Sequence, residues 1–415
     1  MSILKSFFTS SHGEHAAAVP PPAAPPAKAD GPRLLVTGDG LDWLRTRTEI
    51  AGRTIVTART AENAVALLAA EPFDGVMAGF RNVQASVSLL DSARASKPAI
   101  ACSLCADTGE LGQVKHAYPV VSRTEQVEVL DDRLRTMFAV SKLGSNPALS
   151  CVLGYIRKFP SLPSLYTQIT AALQEEETPL RKIVTLIARE PAVSAKLLQM
   201  VNSAAFSRQH RVTSILEAAQ VLGVGRLRSL VLATGLFGQF DGSKCASFSV
   251  AEFESHSGRI ADWAAGIARS ETFDKRHADM AFTAGLLHRF GVLLLAANLP
   301  EAYDQVLRIA KEQRVSIARV EHDTYGVTHA ELAGYILATW GIPFPIVNAV
   351  GWYMRPSQSE DISFSALSAV HLAHSIDLFE RTRAHDYDRA YVEKVTKISK
   401  IDGWHRTLMG DGWAG

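Results

Sequence analysis

The sharpest arrangement of chemically useful residues is GLLHRFG, Gly285 to Gly291, where His288 and Arg289 interrupt an apolar run. An imidazole in such a place is either a metal ligand or a core histidine whose charged neighbour reaches solvent. His256 and His329, on amphipathic stretches, add two imidazoles, and Asp377 in HLAHSIDLF adds a carboxylate. His371 and His374 share a helical face at i, i+3 spacing; with no third ligand nearby in sequence, they read as a solvated or core face. Cys102 and Cys105 form a CxxC without a second such pair, so a four-thiolate zinc site is excluded, and they read as small apolar residues closing a strand.

The elements that must position these residues fall into two classes. From Arg33 the pattern alternates. RLLVTGDG, FDGVMAGF, PAIACSLC and PVV read as strands, and AENAVALLAAEP as a helix with Ala61, Val65, Leu67 and Leu68 inward. Strands alternating with helices predict a parallel sheet in an α/β domain over 33–143. Beyond about residue 150 the apolar period is helical throughout. TPLRKIVTLIARE has Thr178 as N-cap, and SILEAAQVLGVGRLRSLVLATGLF opens on a Ser214/Glu217 capping box and breaks at Gly223 and Gly225. The segment 15–32 is so rich in Pro and Ala that it reads as a linker; ahead of it MSILKSFF is a short helical or frayed segment, so 1–32 is predicted flexible.

Composition narrows the classes of function. The 415 residues suffice for two or three domains, and a net charge of +1 supplies no global field toward nucleic acid or anionic lipid. Four scattered cysteines fit a reducing compartment, and no uncharged apolar run reaches the roughly 18–20 residues that span a bilayer. Without a signal-peptide pattern at the N-terminus, the expectation is a cytoplasmic protein.

The order of strands and helices from Arg33 to Val140 resembles a response-regulator receiver, a flavodoxin-like fold. The resemblance puts the acidic pair on Gly38 and Asp39, the phosphoacceptor on Gly79, the hydroxyl position on Ser103 and the lysine position on Arg123. Glycine at the phosphoacceptor position supplies no carboxylate nucleophile, which implies a pseudo-receiver that cannot be phosphorylated there.

The segment from Leu162 to Phe237, with VNSAAF at Val201 to Phe206 and VLG from Val221, resembles the HDOD family, and the resemblance extends over 155–356. HDOD domains are bacterial signalling modules related in fold to HD-type phosphohydrolases, and they generally lack the catalytic metal ligands. An HD hydrolase takes ligands from a first His, an adjacent His-Asp pair and a distant Asp. The resemblance matches these to His256, to His288 with Arg289, and to Asp377, while a further His of cyclic-dinucleotide phosphodiesterases matches His329. The later His-His pair of those enzymes falls near Gly351 and Trp352 and is absent. Arginine for aspartate removes a ligand and adds a cation; at about 4 Å and an effective dielectric near 20 it repels a divalent ion by roughly 8 kcal/mol.

The expectation is therefore a multidomain chain: a degenerate receiver-like α/β domain, an all-α HDOD domain over 155–356, and a helical extension over 357–415 that packs on it. The expected role is a non-enzymatic signalling adaptor that binds other signalling proteins, needs no cofactor, and retains at most a vestigial divalent-metal site at His256, His288 and Asp377. Arg289 and His329 are candidates for an anion or cyclic-dinucleotide pocket. Two alternatives stay open: an active HD-type phosphohydrolase, and DNA binding through a helix-turn-helix-like segment over 214–236, with Arg226 and Arg228 opening its second helix and Arg208, His210 and Arg211 upstream. Trp404 and Trp413 are packing anchors or part of a partner surface.

Overall fold

The structure, a computed structural model, describes residues 33–39, 41, 49–50, 53–97, 100–106, 120–121, 127–173, 179–203, 212–359, 361–382 and 387–409. The N-terminal segment 1–32, Arg123, Thr178, Arg208, His210, Arg211 and Trp413 lie outside the described residues.

The N-terminal part is a six-stranded sheet of β1 (Arg33–Thr37), β2 (Glu49–Ile50), β3 (Arg53–Ala58), β4 (Gly75–Ala78), β5 (Ala101–Cys105) and β6 (Val120–Val121), in the order β2-β3-β1-β4-β5-β6. Every pairing is parallel except that of the two-residue edge strand β2 with β3. The chain starts mid-sheet, steps outward to β3 and then crosses back past β1 to β4, so the order reverses between β1 and β4. Buried on both faces, β1 and β4 are apolar rather than alternating. Helices α1 (Ala61–Ala70) and α2 (Val83–Ser96) cover one face through Ala64, Val83, Val87, Leu90 and Ala93. On α1 Ala64 is the fully buried residue and the predicted Leu67 and Leu68 pack against the same core, whereas the predicted Val65 is 50% exposed. Strand β3, not predicted, carries the β-branched run Thr54 to Thr57, but only Ala58 in it is fully buried, so it lacks the apolar signature of the inner strands.

Helix α3 (Val127–Gly144) covers the other face with Leu130, Leu134, Met137 and Phe138. One turn later its Ala139 and Leu143 enter the core of the helical part. At about 27 Å for 18 residues, one rigid element thus serves both cores.

The helical part contains α4 (Pro147–Tyr155), α5 (Ser164–Ala172), α6 (Leu180–Ala188), α7 (Pro191–Val201), α8 (Ile215–Leu222), α9 (Val224–Phe237), α10 (Val250–Thr272), α11 (Lys275–Leu287), α12 (Phe290–Asn298), α13 (Pro300–Gln313), α14 (Ile317–Tyr325), α15 (His329–Thr339), α16 (Phe344–Trp352) and α17 (Ala366–Thr382), followed by α18 (Arg389–Val395) and α19 (Ser399–Met409). The predicted capping box at Ser214 is half formed. Ser214 Oγ accepts from Glu217 N, but the Glu217 carboxylate turns to the N–H of Thr213. Gly223, at φ +81°, separates α8 from α9. Helix α9 is buried from Leu227 along most of its length, and Arg226 pairs with Asp262 and Asp279, so most of this helix faces the core.

Residues Lys275–Asn298 are long and apolar enough to cross a membrane, but they form two helices of the core and 83% of their most apolar window is buried. The C-terminal helices pack on the same core through Tyr391, Val392, Ile401 and Trp404, whose indole N–H donates to Ser270 Oγ at 2.9 Å. Trp404 is therefore a packing anchor.

Candidate functional site

The two glycines of GLLHRFG explain how the site is assembled. A Cβ on Gly285 would stand 2.6 Å from Ala261 Cα, so α11 crosses α10 with the backbones nearly touching. A Cβ on Gly291 would stand 2.1 Å from the carbonyl oxygen of His329, where α12 meets the start of α15. Between these two close approaches the chain turns, with His288 ending α11 and Arg289 preceding α12.

His288 is fully buried, and its Nδ1–H donates to Gly285 O at 2.6 Å. That bond leaves Nε2 as the free nitrogen, 3.3 Å from Nε2 of His256 on α10. His374 of α17 completes a triangle: one nitrogen from each of the three rings lies within 4.8 Å of the others. The helix crossing, not sequence proximity, supplies its neighbours. His371 does behave as a core residue, its Nδ1 donating to Tyr353 O and its Nε2 accepting from Asp388 N.

Burial holds all three imidazoles of the triangle neutral. It pushes the pKa of each below the ordinary histidine value, and the nearby Arg289 charge pushes the same way. Arg289 itself is half-buried and has no ion-pair partner among the described residues.

Asp377 lies beside the triangle, its Oδ2 3.5 Å from His256 Nδ1. Two arginines hold it. Arg259 Nε donates to Oδ1 at 2.9 Å with its NH2 at 2.8 Å, and Arg381 Nε stands 3.1 Å from Oδ2. Arg289 does not pair with Asp377, whose partners are these two.

His329 sits outside the triangle in a buried polar chain. Glu321, fully buried, accepts from Tyr303 OH at 2.5 Å, from His329 N at 2.9 Å and from His329 Nδ1 at 2.7 Å, and His329 Nε2 meets Tyr353 OH at 2.7 Å. Burial raises the Glu321 pKa, but His329 and the hydrogen bonds outweigh it and the net direction is down. With both nitrogens engaged, His329 has no nitrogen left for an anion or a metal. The Tyr353 ring packs edge-on against His288 and His374 at 5.1 and 5.0 Å, joining this chain to the triangle. Glu321, Tyr303, Tyr353, Arg259 and Arg381 went unnoticed in the sequence because each is an ordinary residue on its own helix.

In the α/β part, the chain ends of β1 and β4 come together at the strand-order reversal. Gly38, at φ +124°, lies so near Gly79 that a Cβ would stand 2.4 Å from Gly79 C. Asp39 is exposed and accepts from Arg81 N at 3.3 Å; Ser103 is buried. Cys102 and Cys105 point to opposite faces of the sheet, so they do not form a dithiol pair, and burial raises the Cys102 thiol to about 11.

Comparison with known proteins places the helical part. Residues 159–356 match the HDOD domain family and form an HDOD domain. An uncharacterized protein of Treponema pallidum (strain Nichols) is 27% identical over 202 residues, 48% of this chain and 38% of that protein, so this chain spans well under half of its relative. The crystal structure of an HDOD domain protein from Geobacter sulfurreducens superposes with a TM-score of 0.50 at 17% identity, covering 65% of this chain and 91% of that one, which shows a shared fold. A candidate phosphohydrolase of Shewanella amazonensis SB2B gives a TM-score of 0.47 at 21% identity over 64% of this chain and 94% of its own.

The metal constellation of HD-type hydrolases does not fit these residues. At the position that the sequence resemblance matches to the paired aspartate stands Arg289, and the matched Asp377 is already held by Arg259 and Arg381.

Proposed function

We propose that this protein is a signal-transduction regulator that acts by binding other proteins and does not hydrolyse phosphoesters. The observation that carries this reading is the charge at the HD-type position: the guanidinium of Arg289, without an ion-pair partner among the described residues, beside three neutral imidazoles, with Asp377 tied to two arginines. An HD-type centre activates water on metals held by carboxylates, and with Arg289 beside His288 and Asp377 tied to Arg259 and Arg381, no free carboxylate stands there for that role among the described residues.

The α/β part supports the same reading as a receiver-type domain without its phosphoacceptor. Its strand order reverses between β1 and β4, as in doubly wound flavodoxin-like folds, and Gly79 follows β4 where the nucleophile would stand. The backbones at Gly38 and Gly79 approach so closely that a side chain on Gly38 would not fit between them. A partner bound on the sheet domain is felt by the helical domain through α3, whose residues belong to both cores. The contact is specific. Asp132 Oδ1 accepts from Phe344 N at the start of α16, and Thr136 Oγ1 donates to Ile342 O.

The test is capture from a bacterial lysate with the tagged full-length chain, followed by identification of what is retained. A saturable signalling protein, retained equally by His288→Ala, is the expected result. Loss of all specific partners under conditions where the protein is folded overturns the reading.

A further inference from the structure

The triangle contains two buried atoms left without hydrogen bonds. His374 Nδ1 is fully covered and unpartnered, and so is Asp377 Oδ2 with respect to hydrogen bonds, although Arg381 lies near it. Unpaired buried polar atoms are uncommon and ask for an explanation. Here the two atoms flank the same pair of imidazoles.

We propose that His256, His288 and His374 form a binding site for a single late first-row divalent transition metal, zinc or a neighbour, distinct in ligand set from the HD-type centre. Two geometric facts carry the assignment. The 3.3 Å between His256 Nε2 and His288 Nε2 equals the edge of a tetrahedron with bonds of about 2.0–2.1 Å, so those two rings already stand at ligand spacing. The third nitrogen, within 4.8 Å, needs a side-chain adjustment of roughly 1.5 Å to close the triangle.

The surrounding hydrogen bonds fit the same occupant. Without an ion, His256 Nε2–H donates to His288 Nε2, and His256 Nδ1 is left with a long 3.4 Å approach from Arg259. With an ion on Nε2, the proton moves to Nδ1 and faces the unsatisfied Asp377 Oδ2 at 3.5 Å, while His288 keeps its bond to Gly285 O. A carboxylate and a backbone carbonyl behind the ligating histidines are the usual outer partners of such sites. Three imidazoles leave a fourth position for an anion, whose charge the guanidinium of Arg289, next to His288 in the chain, would help to balance. Imidazole donors select zinc, copper, nickel or iron over magnesium or calcium. The ion joins α10, the end of α11 and α17, and its loading is independent of whether the protein is an adaptor.

The test uses the full-length chain, freed of metal and dialysed against Zn²⁺, with metal analysis, and against Co²⁺, with visible absorption. The expected result is one ion per chain and a tetrahedral-type Co²⁺ band. His374→Ala, which loses no hydrogen bond, is expected to bind at least tenfold more weakly while keeping its circular dichroism spectrum, and Asp377→Asn is expected to weaken binding 10- to 100-fold. His256→Gln serves as the second ligand variant if His374→Ala does not fold. No bound ion in the wild type, or undiminished binding in the folded ligand variant, overturns the proposal.

Discussion

Replacing Glu321 with alanine removes one carboxylate and strands three donors. Tyr303 OH, His329 N–H and His329 Nδ1–H all point at it, and Tyr303, His329 and Tyr353 are between 0% and 2% exposed, so water cannot take its place. Hydrogen bonds to a charged acceptor contribute about 1.5–3 kcal/mol each, but the losses overlap, and breaking a buried charged pair typically costs about 3–5 kcal/mol. The expected loss for Glu321→Ala is in that range, a large share of the roughly 5–15 kcal/mol that holds a domain together. Glu321→Gln keeps the shape but turns an NH₂ toward one of the donors, for a loss of about 1–3 kcal/mol. The assay is guanidinium denaturation followed by tryptophan fluorescence, since Trp263, Trp340, Trp352 and Trp404 all lie in the helical part. Because the folded-state pKa of Glu321 is lowered, its contribution is present above the ordinary carboxylate value of 4.5 and fades as pH falls through the folded value. The gap between wild type and Glu321→Gln should therefore narrow on acidification below pH 4.5. A loss under about 1 kcal/mol for Glu321→Ala, in the range of surface substitutions, refutes the claim that this carboxylate organises the buried chain.

Two further changes test how the elements meet. Asp132 is pushed up to about 6, by burial first, and its contribution to stability is therefore full below the unfolded value of 3.8 and lost as pH rises through 6. Asp132→Asn, which keeps the acceptor for Phe344 N, should stabilise the protein by about 1–2 kcal/mol at pH 8, allowing for its remaining solvent contact, and by almost nothing at pH 3.5; denaturation at the two pH values checks the sign. Gly291→Ala drives a methyl into the His329 carbonyl and should destabilise by at least about 2 kcal/mol in the same denaturation assay, whereas Gly341→Ala meets no atom within 4 Å and is limited to the strain of its φ of +69°.

Much of the architecture is written in local patterns. The inner strands β1, β4 and β5 are continuous apolar runs, and helices α6 and α7 show their inward faces at helical spacing. Strand β3 escaped because an outer strand lacks such a run, and Val65 was misassigned because a helix of small alanines offers two nearly equal faces. The site divides the same way. His256, His288 and Arg289 stood out by type and place, but His374 gained its meaning only when α17 was laid against α10 and α11, more than eighty residues away in sequence. Asp377 was legible as a carboxylate but not as one held by Arg259 and Arg381, since Arg259 comes from a distant helix.

The central claim, that the HD-type position carries no hydrolytic chemistry, is tested most directly by turnover. The purified full-length protein is supplied with Mn²⁺ or Fe²⁺ and with nucleotides or a cyclic dinucleotide, and product release is followed beside His288→Ala. Rates equal in the two proteins, and no higher than those of the metal ion alone, are expected. Release by the wild type that His288→Ala abolishes would contradict the central claim.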